Sequence, residues 1–214
     1  VKAVGNAEKR IEEDGLRILR AFRFLDLEEN NLRSLDAELE KAIKKNIDML
    51  EKVSRERITE EIRKILASNN PYDILMKMQE LGTLSNIMGD LNIEIKDLGV
   101  VEPMVILARL LKNNNYDGEH LSEILKERLK LSKKEIRKIS FLHENRNLKF
   151  DNSIGSIRRF QVLLSEEQRL AILQYHDEME FNEKYHDIRE NIDMRPILDG
   201  TKISEITGIK PGRK

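Results

Sequence analysis

The residues with the most chemistry to offer lie in one run, Arg10-Ile11-Glu12-Glu13-Asp14-Gly15-Leu16-Arg17-Ile18-Leu19-Arg20-Ala21-Phe22-Arg23-Phe24. Asp14 and Arg17 are three apart, so on a helix they share a face. The plain reading is an i,i+3 ion pair, worth roughly a few tenths of a kcal/mol. The second reading is base selection. A carboxylate only accepts hydrogen bonds and a guanidinium only donates them. Adenine and cytosine each show an amino donor beside a ring-nitrogen acceptor on the Watson–Crick edge. Asp14 can take the amino proton while Arg17 donates to the ring nitrogen. Guanine and uracil present the opposite order and leave both side chains mismatched, at about 1–3 kcal/mol for each unpaired group.

These side chains need a helical frame. Ile11, Ile18, Leu19, Phe22 and Leu25 recur at three- and four-residue steps and predict one helix over 7–27, with Gly15 inside it. Leu39, Ile43, Ile47 and Leu50 predict a second helix over 36–50. Ser54 reads as the N-cap of a third, which buries Ile58, Ile62, Ile65 and Leu66 and ends at Ser68-Asn69-Asn70-Pro71. Further helices are expected from Pro71 to Leu81 with Gly82 as the stop, from Pro103 to Leu111, and from His120 to Leu129. Ser132 to Glu135 and Ser165 to Gln168 read as capping boxes, the first opening a helix to His143 and the second one to Phe181. Residues 87–101 read as irregular and 147–156 as a loop. No strand-like alternation of useful length and no repeat at solenoid period is present.

Composition sets the outer bounds. The chain has 214 residues, 5% aromatics, no Trp and no Cys. This disfavours a β-sandwich or barrel and favours helices. Disulfides, thiolate metal sites and Cys nucleophiles are excluded, which fits a reducing, cytoplasmic setting. No run of some 18 apolar residues exists to make a membrane-spanning helix, and no signal-peptide pattern is present. Net charge is −1, so nucleic-acid binding has to use local patches rather than a general field. One patch stands out. Residues 126–149 carry nine Lys and Arg against three Glu. Lys130, Lys133, Lys134, Arg137 and Lys138 form its centre, either as a solvated helix face or as a sequence-independent contact to RNA phosphates.

The run Val4 to Phe24, with its Glu-Asp-x-x-Arg followed by Arg and Arg-Phe at three-residue steps, resembles the neck of the class II tRNA nucleotidyltransferases. These are the CCA-adding enzymes and bacterial poly(A) polymerases. Ser54 to Leu66 is similar to the family's next motif, Arg-x-x-x-Glu-x-x-Lys, on Arg57, Glu61 and Lys64. Asp199 to Arg213 resembles the tail motif, with Arg213 where Pro is more usual. Gly15 stands where Ala or Pro is more usual. The resemblance implies an all-α fold of consecutive short helical modules: a neck over 1–67, a body over 68–146 and a tRNA-binding tail over 147–214. It implies that Asp14 and Arg17 template CTP and ATP, that Glu13 orients Arg17, that Arg20 joins the nucleotide site, and that Arg57 and Glu61 brace the neck. The partners implied are tRNA, CTP and ATP.

The metal-binding Asp-x-Asp of that family's sheet-based head has no counterpart here. No catalytic and no metal-ligating residue is assigned in this chain; magnesium is expected for the intact enzyme only. His176-Asp177 and His186-Asp187 are ten residues apart, which on one helix puts them on different faces. The chain opens on Val1 rather than Met, Val1 to Ala7 reads as the middle of an element, and Ile209 to Lys214 reads as a turn leading onward. The expectation is the C-terminal part of a CCA-adding enzyme without its head, inactive by itself. Two alternatives stand beside it: an A-adding enzyme or poly(A) polymerase, which shares the neck motif, and a non-catalytic helical RNA-binding or interaction module.

Overall fold

Local chemistry decides where each helix starts. The computed structural model describes residues 1–27, 32–97, 99, 101–191, 204–206 and 208. Among them the fold is all-α, with a single isolated bridge between Asp26 and Leu32. Two compact units are present, one of Val1–Leu148 with Leu170–Asp177, the other of Lys149–Arg169 with Glu178 onward.

The first unit opens with α1 (Ala7–Glu13), capped by the Asn6 side chain on the Lys9 amide, and α2 (Leu16–Arg23). The single helix expected over 7–27 is therefore two. Asp14 is extended (φ −153°), and its Oδ1 accepts from the Leu16 N–H at 3.1 Å. A carboxylate that satisfies an orphan amide of the next helix rewards this break. α3 (Ala37–Lys45) is capped by Asp36 and stops at Asn46, short of the expected Leu50. The Asn46 side chain donates back to the Ala42 carbonyl, and the chain tightens into a 3-10 helix, Ile47–Lys52. α4 (Arg55–Leu66) starts after Ser54 as expected, although the Ser54 hydroxyl makes no cap bond.

Pro71 opens α5 (Pro71–Glu80), and Gly82, at φ +78°, closes it in the left-handed conformation that a Cβ disfavours. α6 (Thr83–Met88) follows directly, a short helix that apolar spacing over so few residues does not announce. α7 (Pro103–Leu110) is buried almost throughout. α8 (Gly118–Arg128) is capped by Asp117, and α9 (Lys133–Glu144) by the full Ser132–Glu135 capping box. α7, α8 and α9 pack together around Leu107, Leu111, Leu121, Leu125, Ile139 and Leu142.

The second unit holds α10 (Ile154–Leu163), which starts inside the expected loop because Ser153 caps it on the Ser156 amide. α11 (Glu166–His176) begins in this unit with the reciprocal Ser165–Gln168 bonds of a capping box, and its residues from Leu170 onward belong to the first unit. It ends at His176 rather than Phe181, because Asp177 takes a left-handed φ of 55°. α12 (Met179–Asn191) then starts afresh. The His-Asp pairs at 176 and 186 thus belong to different helices. Phe150, Phe160, Phe181 and Tyr185 form the second unit's aromatic core, edge to face. Of the tail motif, only Ser204–Ile206 and Gly208 fall within the described residues.

Three groups in the first unit respond to acid. His176 Nε2 donates to the Asn145 carbonyl at 3.0 Å. Its burial, with Lys112 and Arg109 nearby, pushes its pKa down to about 4. His143, fully buried, donates to the Tyr116 carbonyl and is also lowered, chiefly by burial. Arg63 grips Glu135 through two bonds of 2.8 and 2.9 Å. Those bonds, against the cost of burial and with help from Ser132, hold Glu135 down to about 2.

All three pKa values are depressed on folding, so stability is full above the unfolded values and declines as pH falls toward the folded ones. The urea midpoint is expected to fall between pH 6.5 and 4, and again from about 4.5 toward 2. Glu135 accounts for roughly 2–3 kcal/mol of the second step. His176→Gln should flatten the first decline and Glu135→Gln the second, and a midpoint constant from pH 6.5 to 4 would contradict this origin.

Candidate functional site

The break between α1 and α2 places Asp14 and Arg17 on one turn, both side chains half-buried. Asp14 keeps Oδ1 on the Leu16 amide and Oδ2 on Arg57 Nη2 at 3.1 Å, across from α4. Its own carbonyl accepts from the Arg17 N–H at 3.1 Å. Arg17 turns its guanidinium back to Glu13, with Nη2 3.4 Å from Oε2, and Glu13 also holds Arg10 at 3.2 Å. The i,i+3 pairing of Asp14 with Arg17 that a continuous helix suggests is replaced by two separate pairs, Asp14 with Arg57 and Arg17 with Glu13. The break rotates the two side chains out of helical register, and that frees both for other partners.

Glu61 on α4 is the centre of the neighbouring network. Its side chain is 4% exposed. Arg23 Nε donates to Oε2 at 2.8 Å and Lys64 to Oε1 at 3.0 Å, while Arg20 Nε stands 3.9 Å away. Burial alone raises the pKa of this carboxyl; the bonds from Lys64 and Arg23 outweigh burial and hold it below the ordinary value. Arg57 and Glu61 thus each reach from α4 to the α1–α2 turn or to α2, rather than to each other. Arg23 also lies over the Phe24 ring at 4.5 Å. Asp26, just past α2, accepts from the backbone and side-chain N–H groups of Asn69 and Asn70 at the head of α5.

Two partners here carry no sequence mark. One is Asp26 with Asn69 and Asn70, more than forty positions apart. The other is Gly15, whose Cα lies against the 3-10 helix: a Cβ built on it falls 2.4 Å from the Met49 carbonyl oxygen. Arg23 was visible as the fourth Arg of the run, and its spacing of three from Arg20 is the signal that ties both to Glu61. A groove of about 310 Å³ runs beside the turn, with Arg17 and Arg20 on its wall and Ile11, Ala21 and Phe24 among its floor.

In the basic stretch, Lys130, Lys133, Lys134 and Arg137 are exposed on and before α9. Lys138 differs: it is half-buried and bonded to Glu102 at 3.1 Å. These cations lie in the first unit with the turn, carried by another set of helices.

Residues 34–93 match the family model described as the probable RNA and SrmB-binding site of polymerase A. Over 172 residues the chain is 32% identical to the mitochondrial CCA tRNA nucleotidyltransferase 1 of Mus musculus, which covers 75% of this chain and 38% of that protein. A CCA-adding enzyme of Ligilactobacillus salivarius is 27% identical over 234 positions, covering 100% of this chain and 55% of that one. In fold, the chain is similar to the Bacillus stearothermophilus CCA-adding enzyme solved with CTP, at a TM-score of 0.67 and 21% identity, over 98% of this chain and 56% of the other. It is also similar to the Thermotoga maritima CCA-adding enzyme solved with tRNA, at 0.62 and 18%, over 96% and 55%. The chain spans about half the length, or less, of these relatives.

Truncating Glu61 leaves its cations facing a buried gap, although each is about a third exposed or more and can turn to water. Glu61→Ala is therefore expected to cost about 2–3 kcal/mol, below the upper range for fully buried pairs, and Glu61→Gln about half as much. Urea unfolding of the two variants checks this; a cost under 0.5 kcal/mol (roughly the level of a surface pair) would contradict the network.

Proposed function

Since this chain belongs to the class II CCA-adding enzyme and poly(A) polymerase family, we propose that it is the base-selecting and tRNA-holding part of a CCA-adding nucleotidyltransferase. Its neck over 1–67 reads the nucleotide, and its body over 68–146 and tail over 147–214 hold the tRNA. The observation that carries this reading is the α1–α2 turn. Asp14 and Arg17 stand on one turn, partly in solvent, and each is held by a partner that leaves capacity to spare. Each Asp14 oxygen uses one lone pair and keeps another for an amino proton. Arg17 spends one N–H on Glu13 and keeps others for a ring nitrogen. Glu13 and Arg57 orient the pair, and Arg20 flanks it. An amino donor beside a ring acceptor, as on cytosine and adenine, satisfies both groups. Guanine and uracil oppose acceptor to acceptor and donor to donor.

CTP and ATP are the substrates of the intact enzyme in this reading, and magnesium is its metal. The residues present here do not fit that metal. The sequence has no Asp-x-Asp, and among the described residues no group of three His, Asp or Glu is gathered to hold one. The catalytic carboxylates are assigned to a separate head domain, so this chain alone carries out no nucleotidyl transfer. Lys130, Lys133, Lys134 and Arg137 supply phosphate contacts; Lys138, tied to Glu102, contributes less. The setting proposed is cytoplasmic.

Fluorescence anisotropy with tRNA lacking its CCA end tests the holding role. With four phosphate contacts, affinity is expected to fall by roughly a hundredfold between 50 and 200 mM salt. Lys133→Ala with Arg137→Ala should lower the slope of log affinity against log salt by about two. Single-stranded RNA of equal length should bind more weakly. Absence of binding at 50 mM salt, or equal affinity for single strands, contradicts the tRNA reading and favours a helical interaction module.

A further inference from the structure

Glu135 is bonded in two directions at the start of α9. Its carboxylate accepts from the Ser132 N–H at 2.7 Å, while its own N–H donates to the Ser132 hydroxyl. That is the capping box, and it uses one carboxylate oxygen. Arg63 of α4 donates to both oxygens, Nε to Oε1 at 2.8 Å and Nη2 to Oε2 at 2.9 Å. The box needs no such partner, and Arg63 already has Glu60 on its own helix.

This fork is largely shielded, with the Arg63 side chain 31% and the Glu135 side chain 20% exposed. A planar guanidinium on a carboxylate fixes direction as well as distance. It therefore sets how far α9 is turned about its axis against α4, which the apolar contacts of Ile136, Ile139 and Leu142 do not specify. Lys138, bonded to Glu102 at the head of α7, is a second tie one turn on. Its ammonium is a point charge on a flexible stem and restrains direction less. At about 100° per residue, Lys133 and Arg137 stand roughly 160° and 200° round the helix from Glu135. Both are exposed, on the side of α9 turned away from the fork.

We propose that Arg63 and Glu135 are positioning residues for RNA holding: the fork between them sets the rotation of α9 at which Lys133 and Arg137 meet RNA phosphates together. The inference rests on the tRNA-holding role proposed above. The charge of Glu135 by itself works against RNA. It stands in the stretch 126–149 with nine Lys and Arg, so neutralising it should strengthen the pull of that stretch on phosphate. Loss of a positioning group does the opposite, and the sign of the change separates the two. Glu135→Gln keeps an acceptor for the capping box but leaves Ser132 and Arg63 one oxygen to share. Arg63→Lys keeps the charge and loses the fork.

The test is fluorescence anisotropy of the chain with tRNA lacking its CCA end, from about 50 to 200 mM salt. It compares wild type, Glu135→Gln, Arg63→Lys and, as a control, Glu127→Gln, which removes an exposed acid of the same stretch. Glu135→Gln and Arg63→Lys are expected to weaken binding about fivefold or more, and to lower the slope of log affinity against log salt by about one. Glu127→Gln should leave affinity unchanged or raise it. With Lys133→Ala and Arg137→Ala already in place, Glu135→Gln should weaken binding no further, because the cations it aims are gone. Amide hydrogen exchange at Leu142 and His143 should keep wild-type rates in Glu135→Gln, with α9 intact.

Wild-type or tighter binding by Glu135→Gln overturns the positioning role and leaves tRNA holding in place. Further weakening in the background of Lys133→Ala and Arg137→Ala overturns it too, since Glu135 then acts by another route. Weaker binding with faster exchange at Leu142 and His143 marks loss of the helix and also overturns it. Absence of wild-type binding at about 50 mM salt overturns the holding role itself, and the positioning role with it.

Discussion

A buried carboxylate has to meet its cations, and in this chain that requirement orders the neck. Glu61 has almost no access to water, so its charge is stable only with Arg23 and Lys64 bonded to it. Lys64 comes from its own helix. Arg23 comes from α2, and that bond fixes the rotation of α2 about its axis against α4. Two further ties fix its height. Asp14 meets Arg57 near the start of α2, and Asp26 takes four N–H groups from Asn69 and Asn70 beyond its end. The apolar face of Ile18, Leu19 and Phe22 supplies the bulk of the burial, but apolar contact is non-directional. The polar ties choose one arrangement from the several that such a face allows.

The turn that carries Asp14 and Arg17 depends on this order. It is the point where one helix stops and the next begins, so its backbone lacks the i,i+4 bonds that stiffen a helix interior. Asp14 repairs one of those losses itself by accepting the Leu16 amide. Gly15 lets the turn settle against Met49, and Arg57 aims the remaining carboxylate oxygen. A turn built this way offers an acceptor and a donor that are both partly in solvent, as the proposed reading of a base edge requires. Arg63 on the same α4 also binds Glu135 of α9. One helix thus serves the turn at one end and the helices of the basic stretch at the other.

Most of the helices were legible because their signals are local. Apolar spacing, Pro at a first turn, Gly82 at a helix end and two capping boxes each act within a few residues. The misreadings share a cause. The break at Asp14, the change to a 3-10 helix after Asn46 and the stop at Asp177 all sit inside runs whose apolar spacing continues unbroken. Side-chain bonds from Asp14 and Asn46, and a left-handed φ at Asp177, override that periodicity. At the site, Asp14, Arg17, Arg57 and Glu61 stood out by type and spacing. Glu13, four positions from Arg17, was legible as its partner; the partners of Asp14 and Glu61 on other helices were not, because residues 43 or 38 positions apart are joined by tertiary packing alone.

The central claim is that Asp14 and Arg17 choose the base, and misincorporation tests it most directly. The chain, supplied with a catalytic head domain and magnesium, is given tRNA lacking its CCA end and each of the four nucleoside triphosphates singly. The account predicts that wild type adds C and A and scarcely adds G or U. Asp14→Asn and Arg17→Gln should narrow that difference at least tenfold, at about 1–3 kcal/mol for each mismatched group. Discrimination against G and U that survives both substitutions at the wild-type level would contradict it.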